Sequence, residues 1–122
     1  MRYFLYARKS TDKEDVQVLS IEAQLSELRS LAKREGLEVV EEFIEKQSAK
    51  MPGRSHFNDM VARVRKGEAQ GIICWKLDRL ARNPVDSGQV SWLLQERVLQ
   101  HICTPERSYF SEDSVLLMSV EF

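Results

Sequence analysis

The sequence predicts an α/β fold in which helices cover both faces of an open, mainly parallel sheet of four to five strands. Short apolar segments of strand length alternate along the chain with segments whose apolar residues recur at helical spacing. The run at residues 71–75 (GIICW) is apolar without alternation, which is typical of a central parallel strand buried on both faces. A chain of 122 residues is long enough for one domain and too short for two ordinary ones.

The first half of the chain predicts strand, helix, strand and helix. Residues 2–7 (RYFLYA) form the first strand. Ser20 is a favourable N-cap and Gly36 a favourable stop for a helix over residues 21–35. Residues 38–44 (EVVEEFI) form the second strand, followed by a polar loop. A second stripe at helical spacing predicts the next helix, which ends before Gly67: Phe57, Met60, Val61 and Val64.

The second half predicts strand, loop, helix and strand. Residues 71–75 form the third strand and residues 76–82 a loop. Asn83 and Pro84 are suited to the N-cap and first position of a third helix, which extends to about Arg97. Residues 98–104 form the fourth strand. Beyond it, Ser111 or Asp113 is suited to cap a last helix.

Charge and composition exclude several classes of protein. A net charge of −1 and a pI near 6.1 argue against a protein that covers DNA with its whole surface, but not against a local arginine cluster. No apolar run is long enough to span a bilayer and no secretory signal is present, so we expect a cytoplasmic protein without a membrane partner. Cys74 and Cys103 are expected to be buried free thiols, and with His101 they do not make a zinc site.

Candidate functional residues cluster after two of the predicted strands. In an open parallel sheet, ligands bind in the crevice beyond the carboxyl ends of the strands. The segment after the first strand brings a serine and an arginine to that crevice, the segment after the third strand brings four charged residues, and one more arginine precedes the second helix. These residues are Arg8, Ser10, Lys76, Asp78, Arg79, Arg82 and Arg54.

The chemistry of these side chains points to phosphoryl transfer. A serine hydroxyl is a nucleophile once its proton is removed, and arginine binds phosphate oxygens through a bidentate fork. Arginines aimed at a reacting phosphate stabilise the charge that develops there, and such a site needs no metal. Taken singly, a loop serine is more often a turn residue, and Arg79 beside Asp78 is more often an ion pair. Their convergence at one edge of the sheet favours function.

Two other kinds of site find no support. Nothing like a GxSxG elbow surrounds Ser10, so a hydrolase triad with His56 or His101 is a poor competitor. The chain also lacks the GxxxxGK[ST] and GxGxxG loops that cradle nucleotide phosphates.

Four segments, in order and spacing, resemble the catalytic domain of serine recombinases of the resolvase/invertase type. They are YARKST at residues 6–11, SIEAQ at 20–24, GRSHF at 53–57 and KLDRLARN at 76–83. The resemblance extends from residue 3 to the end of the chain. YARKST, with TPERSYF at 104–110, is more similar to large serine recombinases and transposon-borne members than to the small resolvases.

The resemblance implies a role for each matching residue. The family's nucleophile matches Ser10 and its first phosphate-binding arginine matches Arg8, with Thr11 as the neighbouring hydroxyl. The family's aspartate after the second strand is replaced here by Glu45, which has the same charge on a longer arm. The remaining matches are the signature glutamine Gln24, the mid-domain Arg54, and Asp78, Arg79 and Arg82 of the D-R-x-x-R signature, with Lys76 as a supporting phosphate contact.

The resemblance also implies a reaction, partners and a domain boundary. Proteins of this kind attack DNA with serine, form a 5′-phosphoseryl link, exchange strands as a tetramer and religate, without metal or other cofactor. We therefore expect DNA and a homodimer or homotetramer as partners. Residues 1–110 are expected to be the catalytic domain and residues 111–122 the start of an oligomerisation helix, with the DNA-binding region absent from this chain.

Two alternatives to a catalytic domain remain open at this point. The first is a catalytically silent assembly module that makes contacts through its apolar segment at residues 116–122 (LLMSVEF). The second is a phosphate-binding domain that shares the sheet without recombining DNA. A covalent link between serine and DNA separates the catalytic domain from both alternatives.

Overall fold

A computed structural model describes residues 1–8, 20–45 and 54–111, apart from the side chain of Asp78. Ser10 and residues 112–122 lie outside this part of the chain. Within it, strands and helices alternate in this order: β1 (Arg2–Arg8), α1 (Ile21–Glu35), β2 (Glu38–Glu45), α2 (Ser55–Arg65), β3 (Gly71–Ile73), α3 (Leu77–Leu80), α4 (Pro84–Gln95), β4 (His101–Cys103) and β5 (Ser108–Phe110).

The sheet has five strands in the order β2-β1-β3-β4-β5. The first four are parallel, and β5 runs antiparallel to β4. This is the predicted fold class. Since β2 lies on one side of β1 and β3 on the other, the strand order reverses between β1 and β3, and ligand crevices of open α/β sheets form at such reversals.

Helix boundaries that depend on local capping agree with the prediction. The Ser20 side chain accepts a hydrogen bond from the Ala23 backbone at 3.2 Å, and α1 stops at Gly36, which has a φ of 68°. The Asn83 side chain accepts from the backbone N–H of Asp86 at 2.9 Å and caps α4. These contacts join residues within one helical turn, so they are visible in sequence.

The structure corrects the prediction in the second half of the chain. The predicted loop at residues 76–82 contains the one-turn helix α3, and β3 and β4 are shorter than the predicted 71–75 and 98–104. The segment before β4 is not strand because the backbone N–H groups of Val98 and Leu99 both donate to the Leu93 carbonyl, which folds it back on the end of α4. The strand β5 is an addition, paired with β4 across a short turn.

The sheet carries a hydrophobic cluster on each face. The α1 side is formed by Leu25, Leu28, Leu31 and Ala32 of the helix against Tyr3, Leu5, Ala7, Ile73 and Cys103 of the sheet. The other side packs α2 and α4 against Phe4, Tyr6 and Ile72. Cys74 and Cys103 are both buried and free, as expected, and lie in opposite clusters.

Gly71 allows a tyrosine to cross the sheet. The Tyr3 ring lies over Gly71, where a Cβ atom would overlap it, and the Tyr3 hydroxyl reaches His101 Nδ1 at 2.6 Å.

We expect Gly71→Ala to lower the free energy of unfolding by about 1–3 kcal/mol through overpacking. Urea unfolding measures the change. Gly88→Ala is the matched control, because its Cβ would meet nothing within 4 Å, and it is expected to be neutral or stabilising. Equal losses in both variants would contradict the packing role of Gly71.

We expect His101 to make the stability of the fold dependent on pH. Its ring is 7% exposed and stacks on Phe110, with centroids 4.5 Å apart. Burial lowers the pKa of His101, while Glu35 raises it by a smaller effect, and the Tyr3 hydroxyl lies 2.6 Å from its Nδ1. Because the folded state binds this proton less readily than the unfolded chain, stability should be fully present above about pH 6.5 and fall below it.

Urea unfolding between pH 5 and pH 8 tests this expectation. His101→Phe keeps a ring against Phe110 and removes the titrating group, so its stability should vary less with pH below about 6.5 than that of the parent protein. The same pH dependence in both proteins would assign it to other groups.

Candidate active site

The carboxyl end of β1 is a meeting point for α1 and α3. Arg8, the last residue of β1, is fully buried, and its carbonyl accepts two hydrogen bonds. One comes from Gln24 Nε2 in the first turn of α1, at 3.1 Å, and the other from Arg79 Nη2 in α3, at 2.6 Å. The predicted residues Arg8, Gln24 and Arg79 are therefore in contact with one another. Arg8 precedes Ser10 by two positions in the sequence.

The segment after β3 carries three more of the predicted residues. Lys76 is exposed and immediately precedes α3, Asp78 lies within α3, and Arg82 is half-buried between α3 and α4. The Arg79 side chain is buried, and its bond to the Arg8 carbonyl joins this segment to the end of β1. The end of β1 and the segment after β3, which are far apart in sequence, thus meet at the carboxyl edge of the sheet.

Arg54 lies at the N-cap of α2 with its guanidinium turned into the protein. Only 1% of the residue is exposed. Nη1 donates to the Tyr6 hydroxyl at 2.7 Å, and Nη2 donates to the Leu80 carbonyl at 2.6 Å and to Asp86 Oδ2 at 2.9 Å. The guanidinium also stacks on the Phe57 ring, 4.1 Å from its centroid. These contacts tie Arg54 to β1, α3 and α4 at once.

Asp86 and Tyr6 are site residues that the sequence analysis missed. Asp86, at 1% exposure, accepts from Asn83 Nδ2 at 2.8 Å with the same oxygen that binds Arg54. Asn83 and Asp86 have the spacing of a helix cap, but that spacing does not reveal the ion pair with a residue 32 positions away. Burial raises the pKa of Tyr6, which keeps its hydroxyl neutral as a partner for Arg54.

Glu45 supports the same helix end from the second strand. Its carboxylate is 2% exposed and accepts from the Phe57 backbone N–H at 3.0 Å, with His56 Nδ1 3.3 Å from its other oxygen. The side chain of Arg54 makes no capping bond to α2, so Glu45 supplies the acceptor at that N-terminus. Glu45 thereby fixes the end of α2 that carries Arg54.

The described ranges hold neither a metal-ligand group nor a helix that could span a membrane. Residues 1–8, 20–45 and 54–111 contain no group of three His, Cys, Asp or Glu side chains placed to hold a metal ion. Over the same ranges, the helices are too short or too polar to cross a membrane.

Comparisons with known proteins agree with this architecture. The family model described as "Resolvase, N terminal domain" matches residues 3–117. No curated protein matches the chain.

Several solved structures share the fold. The N-terminal catalytic domain of TP901-1 integrase is 18% identical, with a TM-score of 0.76 over 99% of this chain and 94% of that one. A resolvase family site-specific recombinase from Streptococcus pneumoniae is 25% identical, with a TM-score of 0.72 over 98% and 82%. The C-terminal catalytic domain of ISC1926 TnpA, an IS607-like serine recombinase, is 21% identical, with a TM-score of 0.69 over 98% and 80%.

The family match covers nearly the whole chain, and the strand order, the carboxyl-edge cluster and the solved structures agree with it. The chain belongs to the resolvase N-terminal domain family.

Proposed function

We propose that this chain cuts and rejoins DNA in site-specific recombination, with Ser10 as the nucleophile. The observation that carries the proposal is the junction at the Arg8 carbonyl, where Arg79 and Gln24 both donate. That junction supports a site in which the segment carrying Ser10 leaves β1 beside buried arginines. Such a site suits attack on a phosphodiester, whose transition state concentrates negative charge on its non-bridging oxygens.

In this proposal three arginines act on the scissile phosphate. Arg8, Arg79 and Arg82 bind its non-bridging oxygens, since guanidinium is permanently charged and matches phosphate in a bidentate fork. Lys76 is exposed beside them and contacts a neighbouring phosphate of the DNA backbone. Asp78 is the acidic residue of the same signature and lies in α3 with Arg79.

Three other predicted residues act by positioning. Gln24 holds the Arg8 carbonyl, and Glu45 holds the start of α2. Arg54 was expected to face the phosphate, but its contacts with Tyr6, Leu80 and Asp86 support a role in holding α3 against β1. These residues set the geometry from which the phosphate-binding arginines work.

The proposed cleavage step conserves the energy of the phosphodiester. Ser10 Oγ forms a bond to phosphorus and loses its proton, while the bond from phosphorus to the 3′ oxygen breaks and that oxygen gains a proton. The product is a 5′-phosphoseryl link and a free 3′-hydroxyl. Religation reverses these changes on a new strand, so the proposed reaction needs neither cofactor nor an external energy source.

Strand exchange requires partners beyond one chain. We propose that a homodimer binds each DNA site and that a homotetramer exchanges the strands, with residues 111–122 beginning the oligomerisation helix. The net charge of −1 over the 122 residues favours weak non-specific DNA binding by this chain, because non-specific affinity rises with the number of phosphates neutralised.

Trapping a covalent adduct tests the function. The probe is a randomised duplex library in which sulfur replaces the bridging 3′ oxygen of a central phosphate. Attack by serine releases a 3′-thiol, a poor nucleophile toward phosphorus, so the adduct accumulates. Nuclease digestion and mass spectrometry should then locate a nucleotide on Ser10. DNA binding without any adduct would favour the silent assembly module instead.

A further inference from the structure

We infer that Asp86 is a positioning residue for Arg82 in the proposed cleavage reaction. The inference rests on the proposed function, since it concerns the position from which Arg82 binds the scissile phosphate. It concerns a carboxylate on α4 that belongs to none of the segments from which the site was predicted.

One carboxylate oxygen of Asp86 takes part in the contacts that hold the chain on both sides of Arg82. Asp86 Oδ2 accepts from Arg54 Nη2 at 2.9 Å and from Asn83 Nδ2 at 2.8 Å. The same Arg54 nitrogen donates to the Leu80 carbonyl at 2.6 Å. The chain is therefore held through the Leu80 carbonyl on one side of Arg82 and through the Asn83 side chain on the other.

The segment between these two anchors has little helical structure of its own. Ala81 follows the last turn of α3 in an extended conformation, with φ −152° and ψ 127°, and Asn83 precedes α4 with φ −101° and ψ 155°. Arg82 thus lies in an extended link between two helices. Its backbone position depends on the anchors at Leu80 and Asn83 rather than on a continuous helical ladder.

The negative charge of Asp86 matters to these anchors. Arg54 and Asp86 are each 1% exposed, so each is the counter-charge that the other needs in a site with little water. Asp86 Oδ1 has no hydrogen-bond partner within the described residues, so the carboxylate is held there through Oδ2. An amide at position 86 keeps the shape but loses the charge that draws Arg54 toward Leu80.

The consequence for the reaction is geometric. Catalytic donors act most strongly when they are already in place as charge develops, and small displacements weaken them. Asp86 does not touch the phosphate. It sets the position from which Arg82 reaches it.

A double-mutant cycle tests this inference with the sulfur-bridged library. Asp86→Asn is expected to slow adduct formation by about tenfold when Arg82 is present, a coupling typical of residues in one network. In an Arg82→Ala background, Asp86→Asn should change the rate by no more than about twofold. The same tenfold loss in both backgrounds would overturn the inference, because it would show that Asp86 does not act through Arg82.

Val64→Ala provides the control for lost stability. Val64 is fully buried in α2 and lies outside the Arg54 network, so its truncation destabilises the fold without disturbing the anchors. Its effect on the rate should be small and equal with and without Arg82. A Val64→Ala cycle that shows the same coupling would assign the Asp86 effect to stability and overturn the inference.

A measurement without DNA separates this inference from the proposed function. Backbone ¹⁵N relaxation should show that Asp86→Asn increases the mobility of the Arg82 amide, while the Leu28 amide in α1 stays unchanged. Unchanged mobility at Arg82 would overturn the inference even if the protein forms an adduct. Increased mobility in a protein whose parent forms no adduct would support the anchoring by Asp86 and contradict the proposed function.

Discussion

Replacing Ser10 with alanine is expected to abolish the covalent attachment of this protein to DNA. The hydroxyl of Ser10 is the proposed nucleophile. The hydrogen bonds that Gln24 and Arg79 donate to the Arg8 carbonyl remain in the variant. Adduct on the sulfur-bridged library should fall below detection. Thermal unfolding and DNA binding should stay close to those of the parent, because the substitution removes a single hydroxyl group and leaves the hydrogen bonds to the Arg8 carbonyl in place.

Thr11 provides the matched control, because it is the neighbouring hydroxyl in YARKST. Thr11→Ala should retain adduct formation, and mass spectrometry of its adduct should still locate the nucleotide on position 10. An adduct formed by Ser10→Ala and lost in Thr11→Ala would transfer the role of nucleophile to Thr11.

Removing an arginine from the proposed phosphate site is expected to slow cleavage by about a hundredfold, since one transition-state contact is worth roughly 3 kcal/mol. Arg82→Ala is the cleaner test because Arg82 is half-buried, whereas Arg79 is buried and also donates to the Arg8 carbonyl. Arg79→Ala should therefore lower both the rate and the free energy of unfolding. Single-turnover adduct formation and urea unfolding measure the two effects separately.

Arg29→Ala is the control for loss of a positive charge. Arg29 is exposed on α1 and pairs with Glu42 at 2.7 Å on the surface, a kind of contact worth about 1 kcal/mol or less. Its adduct rate should match that of the parent. If Arg82→Ala and Arg79→Ala also remain within about threefold of the parent, their role is no larger than that of a weak surface contact.

The elements defined by short-range chemistry were predictable. Ser20 and Gly36 delimit α1, and Asn83 begins α4, because a cap satisfies backbone groups within one turn of itself. The alternation of strands and helices likewise predicted the parallel sheet. By contrast, α3 was missed because its single turn, over Leu77–Leu80, is too short for helical periodicity to register.

Part of the carboxyl edge was predictable, whereas Asp86, Tyr6 and the contacts that join the residues there were not. Parallel strands place their carboxyl ends at one edge, so Arg8 and the segment at residues 76–82 were expected to meet. The sequence by itself thus determined the fold class, the family and the proximity of Arg8 to the segment at residues 76–82. Only the tertiary structure decided that Arg79 binds the Arg8 carbonyl and that Arg54 pairs with Asp86. Buried hydrogen bonds between distant residues depend on three-dimensional packing, which local spacing does not encode.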